Sequence, residues 1–127
     1  MAKPFDDNKP IFMQVREEIE DQILNDQLKE EDQAPSTNQL VNFYKINHVT
    51  VSKGITQLVD EGILYKKRGV GMFVAEGAKG KLIQKRKEAF VDDYVLLLVQ
   101  EANKLEISET EIISLIKHVK GSDQYDV

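Results

Sequence analysis

Two capped helical segments separated by only a few residues, with a glycine-rich turn soon after, constrain this chain more than any other feature. Ser36 to Gln39 has the spacing of a capping box, with Ser36 as the cap and Gln39 reaching back to it. The short helix that it opens runs to about Tyr44 and is expected to bury Leu40 and Phe43. Lys45-Ile46-Asn47 leaves room only for a tight turn. Asn47 is a good N-cap for a further helix with Val51, Ile55, Leu58 and Val59 on one face, and Gly62 follows where a left-handed cap would stop it. Two short helices joined by such a turn make a helix-turn-helix. Ile63 to Lys67 and Met72 to Ala75 are apolar-rich runs around Arg68-Gly69-Val70-Gly71, whose glycines suit a tight hairpin.

The flanks complete the pattern. Residues 1–9 read as an extended arm, and Pro10 suits the first turn of a helix. Ile11, Val15, Ile19, Ile23 and Leu28 then recur at near-helical spacing, predicting one amphipathic helix that ends near Leu28. Lys29 to Ala34 is polar and loop-like. A long helix is expected from about Lys79 to Leu105, with Phe90, Tyr94 and Leu97 on one apolar stripe and Val91, Val95, Leu98, Ala102 and Leu105 on another. Ser108 to Glu111 forms a second capping box, and the helix behind it stops at Gly121. The expected fold is mainly α with a small β-hairpin: a winged helix-turn-helix over residues 1–76, then a two-helix dimerisation region over residues 77–127.

The net charge of -5 at pH 7 argues against a nucleic-acid partner until its distribution is considered. Residues 36–74 hold five Lys or Arg against two Asp or Glu, whereas residues 1–35 hold four against ten. The basic segment is therefore the helix-turn-helix with its hairpin, which can face phosphates while the acidic flanks stay away. Zero cysteines remove disulfides, thiolate metal sites and cysteine nucleophiles. No apolar run approaches the ~20 residues that a membrane span needs. The polar, acidic start lacks the apolar region of a secretory signal, so a cytoplasmic location is expected.

In a helix-turn-helix the second helix enters the major groove and its first residues meet base edges. Those residues are Asn47, His48, Val49, Thr50, Ser52 and Lys53. Ser36, Thr37 and Asn38 begin the preceding helix, whose free N–H groups favour a phosphate. Lys66, Lys67 and Arg68 fall on the wing, with Arg68 and Gly69 at its tip. These groups are the expected DNA-binding set, and solvated polar residues on a small helical domain are the bland alternative. His48 and His118 have no carboxylates at ligand spacing, so no metal, cofactor or catalytic site is expected. Asp92-Asp93 and Glu17-Glu18 are adjacent pairs that point apart on a helix, and are read as solvated charges. Phe90, Tyr94, Leu97, Leu98, Leu105, Ile112 and Ile116 are the expected dimerisation residues, because two helices cannot bury that much apolar surface alone. A small hydrophobic ligand between those helices is the runner-up. An RNA-binding, architectural or purely protein-binding module is the rival to operator recognition.

Taken together, Pro10-Ile11-Phe12, Ala34-Pro35-Ser36, Asn47-His48-Val49-Thr50-Val51-Ser52-Lys53, Asp60-Glu61-Gly62-Ile63-Leu64 and Lys66-Lys67-Arg68-Gly69-Val70-Gly71-Met72-Phe73-Val74 resemble the GntR family of bacterial regulators. The Gly-Met-Phe-Val wing and the short tail are most similar to its YtrA-like subgroup. The resemblance implies a homodimer on an inverted-repeat operator in double-stranded DNA, usually repressing transcription, often of nearby transporter genes. It implies DNA contacts from Ser36, His48, Val49, Thr50, Arg68 and Gly69. Asn38 and Ser52 stand where many members carry Arg, which implies a different base preference. His48 stands where the subgroup often has Pro, and Ala34 where Leu is usual. The larger effector domains of other subgroups have no counterpart here, which leaves a small-molecule effector open.

Overall fold

The two helices of the helix-turn-helix each start at a side chain that accepts a bond from a backbone N–H three residues on. In the computed structural model, which describes residues 5–122 and 124, Ser36 Oγ accepts from Gln39 N at 3.1 Å while Gln39 Oε1 accepts from Ser36 N at 2.8 Å. This reciprocal box opens α2, Thr37–Tyr44. Asn47 Oδ1 accepts from Thr50 N at 2.8 Å and opens α3, His48–Asp60. Between them Lys45 closes α2 in the left-handed region at φ 59° and ψ 40°. Lys45 is exposed, so its Cβ strain is not repaid by packing. Lys45→Gly is therefore expected to stabilise the protein by about 0.5–1 kcal/mol, the relief of strain being partly offset by a freer unfolded chain. A raised urea midpoint at unchanged slope checks it.

The helix α1, Ile11–Leu24, follows Pro10 and ends earlier than the spacing predicts. The chain turns at Asn25 and passes through the left-handed region at Asp26, φ 63°. Leu28 still packs on the core, but from a turn. Residues 6–9 form a turn folded onto α1, not an extended arm: the Gln14 side chain accepts from Asp6 N and donates to the carbonyls of Asp6 and Lys9.

Beyond α3, Gly62 takes φ +76° and turns the chain into a hairpin. Strands β1, Leu64–Lys67, and β2, Gly71–Val74, pair antiparallel with Leu64 opposite Val74 and Lys67 opposite Gly71. The preceding connection is not wholly a loop. Glu31 N donates to Val74 O, Val74 N to Asp32 O and Ala34 N to Met72 O, at 2.8–2.9 Å, so residues 31–34 run along the other edge of β2.

Two compact units result, Met1–Lys85 and Arg86–Val127. The core of the first joins Val15, Ile19 and Ile23 of α1 with Leu40, Val51, Ile55, Leu58, Leu64 and Val74. Ala78 and Leu82 complete it from the first turns of α4, Ala78–Phe90. Phe43 does not join this core and is 66% exposed. It stands three residues from Leu40, on a neighbouring line of α2, and so short a helix leaves undecided which of its lines is covered. In place of one uninterrupted helix to Leu105, α4 passes into a π-helical stretch, Val91–Val95, and then α5, Leu96–Lys104. The last helix, α6, spans Glu109–Lys120 and ends at Gly121, with Ser108 Oγ accepting from Glu111 N. No helix among the described residues is long and apolar enough to cross a membrane.

Candidate nucleic-acid interface

The groups expected to meet DNA stand on helix starts and a turn whose local geometry is fixed from below. At the start of α3, His48 and Val49 are exposed, Val49 by 77%, although a valine in a helix normally seeks the core. Thr50 and Ser52 are half-buried. Asn47 spends its side-chain oxygen on the cap, so its amide NH2 is the part left to address a ligand. Lys53 is exposed and its Nζ lies 4.0 Å from the centre of the Phe12 ring, which steadies an otherwise mobile ammonium.

At the start of α2, Asn38 is exposed while Ser36 and Thr37 are half-buried. The Ser36 hydroxyl accepts within the capping box and keeps its own proton for an outside acceptor. The first turns of both helices carry no acidic residue, which leaves the partial positive charge of their N-termini uncompensated.

On the wing, Arg68, Gly69 and Val70 are exposed, and Val70 N donates to Lys67 O to close the turn. Tyr65 and Phe73 stack across the strands with centroids 5.9 Å apart, and Lys67 Nζ lies 4.4 Å from the Phe73 ring centre. The Tyr65 hydroxyl donates to the Glu31 carboxylate, and that hydrogen bond holds the phenol proton and raises its pKa above the ordinary value. These contacts connect the wing to the segment just before α2. Wing and the segment leading into α2 are thus joined, and both share one compact unit with α3.

Three residues that shape this surface escape reading by pattern. Gly54, inside α3, faces α1 so closely that a Cβ would lie 2.7 Å from Phe12 O. A glycine within an otherwise regular helix was the available signal. Phe12 itself and Gln33, whose amide reaches the wing tip, carry no sequence signal of their role.

The expected dimerisation residues all fall in the second unit. Phe90, Tyr94, Leu97, Leu98, Leu105 and Ile116 are exposed and Ile112 is half-buried. Phe90 and Tyr94 touch, with ring centroids 5.7 Å apart. Among the described residues no group of His, Cys, Asp or Glu is placed to hold a metal ion.

Comparison with known proteins agrees with this geometry. Residues 12–74 match the family described as bacterial regulatory proteins, gntR family. The HTH-type transcriptional repressor YtrA of Bacillus subtilis (strain 168) is 28% identical over 121 residues, covering 92% of each chain. A GntR-family chain of known structure from Bacteroides thetaiotaomicron is 34% identical, with a TM-score of 0.66 over 85% of this chain and 94% of its own. The structure of AraR(DBD) in complex with operator ORR3 is 32% identical and covers 59% of this chain and 88% of its own, with a TM-score of 0.51. The chain thus belongs to the GntR family of bacterial helix-turn-helix regulatory proteins, a non-enzymatic family in which YtrA is its relative over nine-tenths of its length.

Proposed function

We propose that this protein is a cytoplasmic transcriptional repressor that binds an inverted-repeat operator in double-stranded DNA as a homodimer. The reading surface is the start of α3 (Asn47, His48, Val49, Thr50, Ser52, Lys53), the start of α2 (Ser36, Thr37, Asn38) and the wing tip (Arg68, Gly69). One observation carries the dimer: from Arg86 onward, Ala102 alone is buried among the described residues, while many large apolar side chains remain exposed. Two short helices with that surface do not hold together in water on their own. A second copy supplies the missing cover and, by its two-fold axis, presents two reading helices about one duplex turn, ~34 Å, apart. That YtrA is a repressor and that AraR(DBD) was solved on an operator support the same reading.

A groove of about 380 Å³ lined by Leu98, Ala102, Leu105, Ile107, Ile112 and Ile116 lies in the second unit. In the homodimer it receives apolar side chains of the second copy. An apolar effector in the same groove is the second reading.

The deciding experiment is selection of bound duplexes from a random pool, followed by gel-shift titration. The enriched sequence is expected to show two-fold symmetry. Thr50→Ala and His48→Ala are each expected to weaken its binding by about 1–3 kcal/mol, the worth of a base or charged-phosphate contact. Enrichment of an asymmetric half-site overturns the dimeric reading. Unchanged affinity in both alanine variants overturns this placement of α3.

A further inference from the structure

The turn at the wing tip is held by more than its own hairpin. Gln33 bridges antiparallel to Phe73, and the backbone bonds of Glu31, Asp32 and Ala34 flank that bridge. From this edge the Gln33 side chain extends to the turn, where its Nε2 donates to the carbonyl of Val70 at 3.2 Å. The carbonyl can only accept, so the amide nitrogen is the partner. Gly71 makes room for the contact: a Cβ there would come within 2.6 Å of Gln33 Nε2. Its φ of +142° adds a second reason for glycine.

Gln33 stands three residues before Ser36, the cap of α2. The bond to Val70 therefore ties the Arg68-Gly69-Val70 turn to the backbone that delivers the first N–H groups of α2. A free three-residue turn at a hairpin tip samples many positions, and ordering it on DNA costs conformational entropy. Fixing it beforehand removes part of that cost.

We propose that Gln33 is a positioning residue for the wing: it holds the Arg68 turn at a set place beside the start of α2, so that both meet the duplex as one preformed surface. This rests on the DNA-binding reading above. Gln33 acts through Arg68.

The test uses the full chain and the duplex enriched by selection. Gln33→Met keeps the length of the side chain and removes the donor. Binding is measured across a salt series for wild type, Gln33→Met, Arg68→Ala and the double variant. Gln33→Met is expected to weaken binding about fivefold, on the scale of one lost hydrogen bond, while the urea midpoint falls by no more than that one bond is worth. Its salt slope is expected to fall toward that of Arg68→Ala, which loses about one unit by giving up a phosphate neighbour. In the Arg68→Ala background the Gln33 change is expected to add nothing. A merely structural role would move the midpoint and leave the salt slope alone. Equal losses in both backgrounds, an unchanged affinity, or an Arg68→Ala protein that binds like wild type each overturn the proposal. If no duplex is enriched by the wild-type chain, the DNA-binding reading fails first and this one falls with it.

Discussion

Replacing Arg16 with Met is expected to lower the unfolding free energy by about 3 kcal/mol, the low end of the cost of removing one member of a buried ion cluster. Arg16 is 8% exposed and lies between α1 and the end of α3. Its guanidinium donates to both oxygens of Glu61 at 2.6 and 2.7 Å, to Gln57 at 2.7 Å and to Glu20 at 3.0 Å. Met fills the space of the stem but returns none of those bonds. Glu20, 5% exposed, then loses the Arg16 guanidinium that lies 3.0 Å from it. The low end applies because Glu61 is partly open to solvent and keeps Lys85 at 2.8 Å. Urea unfolding measures the change, and a loss below ~1 kcal/mol would show that the cluster is ornamental. Changing Glu20 to Leu in the same molecule should recover part of the loss, since the two charges then leave together.

The same cluster sets an acid limb. Arg16 foremost, with Lys85 behind it and burial opposing, holds Glu61 down at about 2 from its usual 4.5. A carboxylate with a lowered folded pKa stabilises fully above its unfolded value and loses that contribution as pH falls through the folded one. Wild-type stability is therefore expected to drop between about pH 4.5 and 2 more steeply than that of Glu61→Gln. Parallel curves for the two proteins would remove Glu61 from the account.

Leu97→Asp combined with Leu98→Asp is expected to abolish the dimer and, with it, tight operator binding. Both leucines are exposed in the single chain, by 59% and 46%, so the change costs little unless something covers them. Inside a dimer interface each carboxylate is desolvated without a partner, at a cost of several kcal/mol. An interface that resembles a divided core tolerates little of that, and folding of the tail is expected to fail with it. Sedimentation equilibrium at micromolar concentration reads the outcome. Wild-type protein that sediments as a monomer sinks the dimer itself. A variant that remains dimeric with intact operator affinity moves the interface away from Leu97 and Leu98.

The sequence by itself settled the features that short stretches decide. Ser36 with Gln39, Asn47 with Thr50, and Ser108 with Glu111 satisfy helix-start N–H groups within four residues, so the caps are legible wherever those residue types recur at that spacing. The hairpin is legible for the same reason, since its glycines answer a local demand on φ. The groups placed on α2, α3 and the wing could be named from the chain alone because they ride on those elements.

Distant contacts decided the rest. Residues 31–34 hold no strand pattern, and only the unfilled edge of β2 draws them into backbone pairing. Gly54 is demanded by the carbonyl of Phe12, more than forty positions away, and Gln33 finds the wing tip across 37 residues. Arg16 looks like a solvated helix charge until Glu61, 45 residues on, arrives beside it. The two apolar stripes of the tail were visible, but not the π-helical stretch at Val91–Val95 through which both run. A turn with one extra residue rotates every later side chain by about 100°, and which face is buried at that point depends on what the helix packs against. Local chemistry fixes where an element begins and turns. Only packing determines which of its faces is inside.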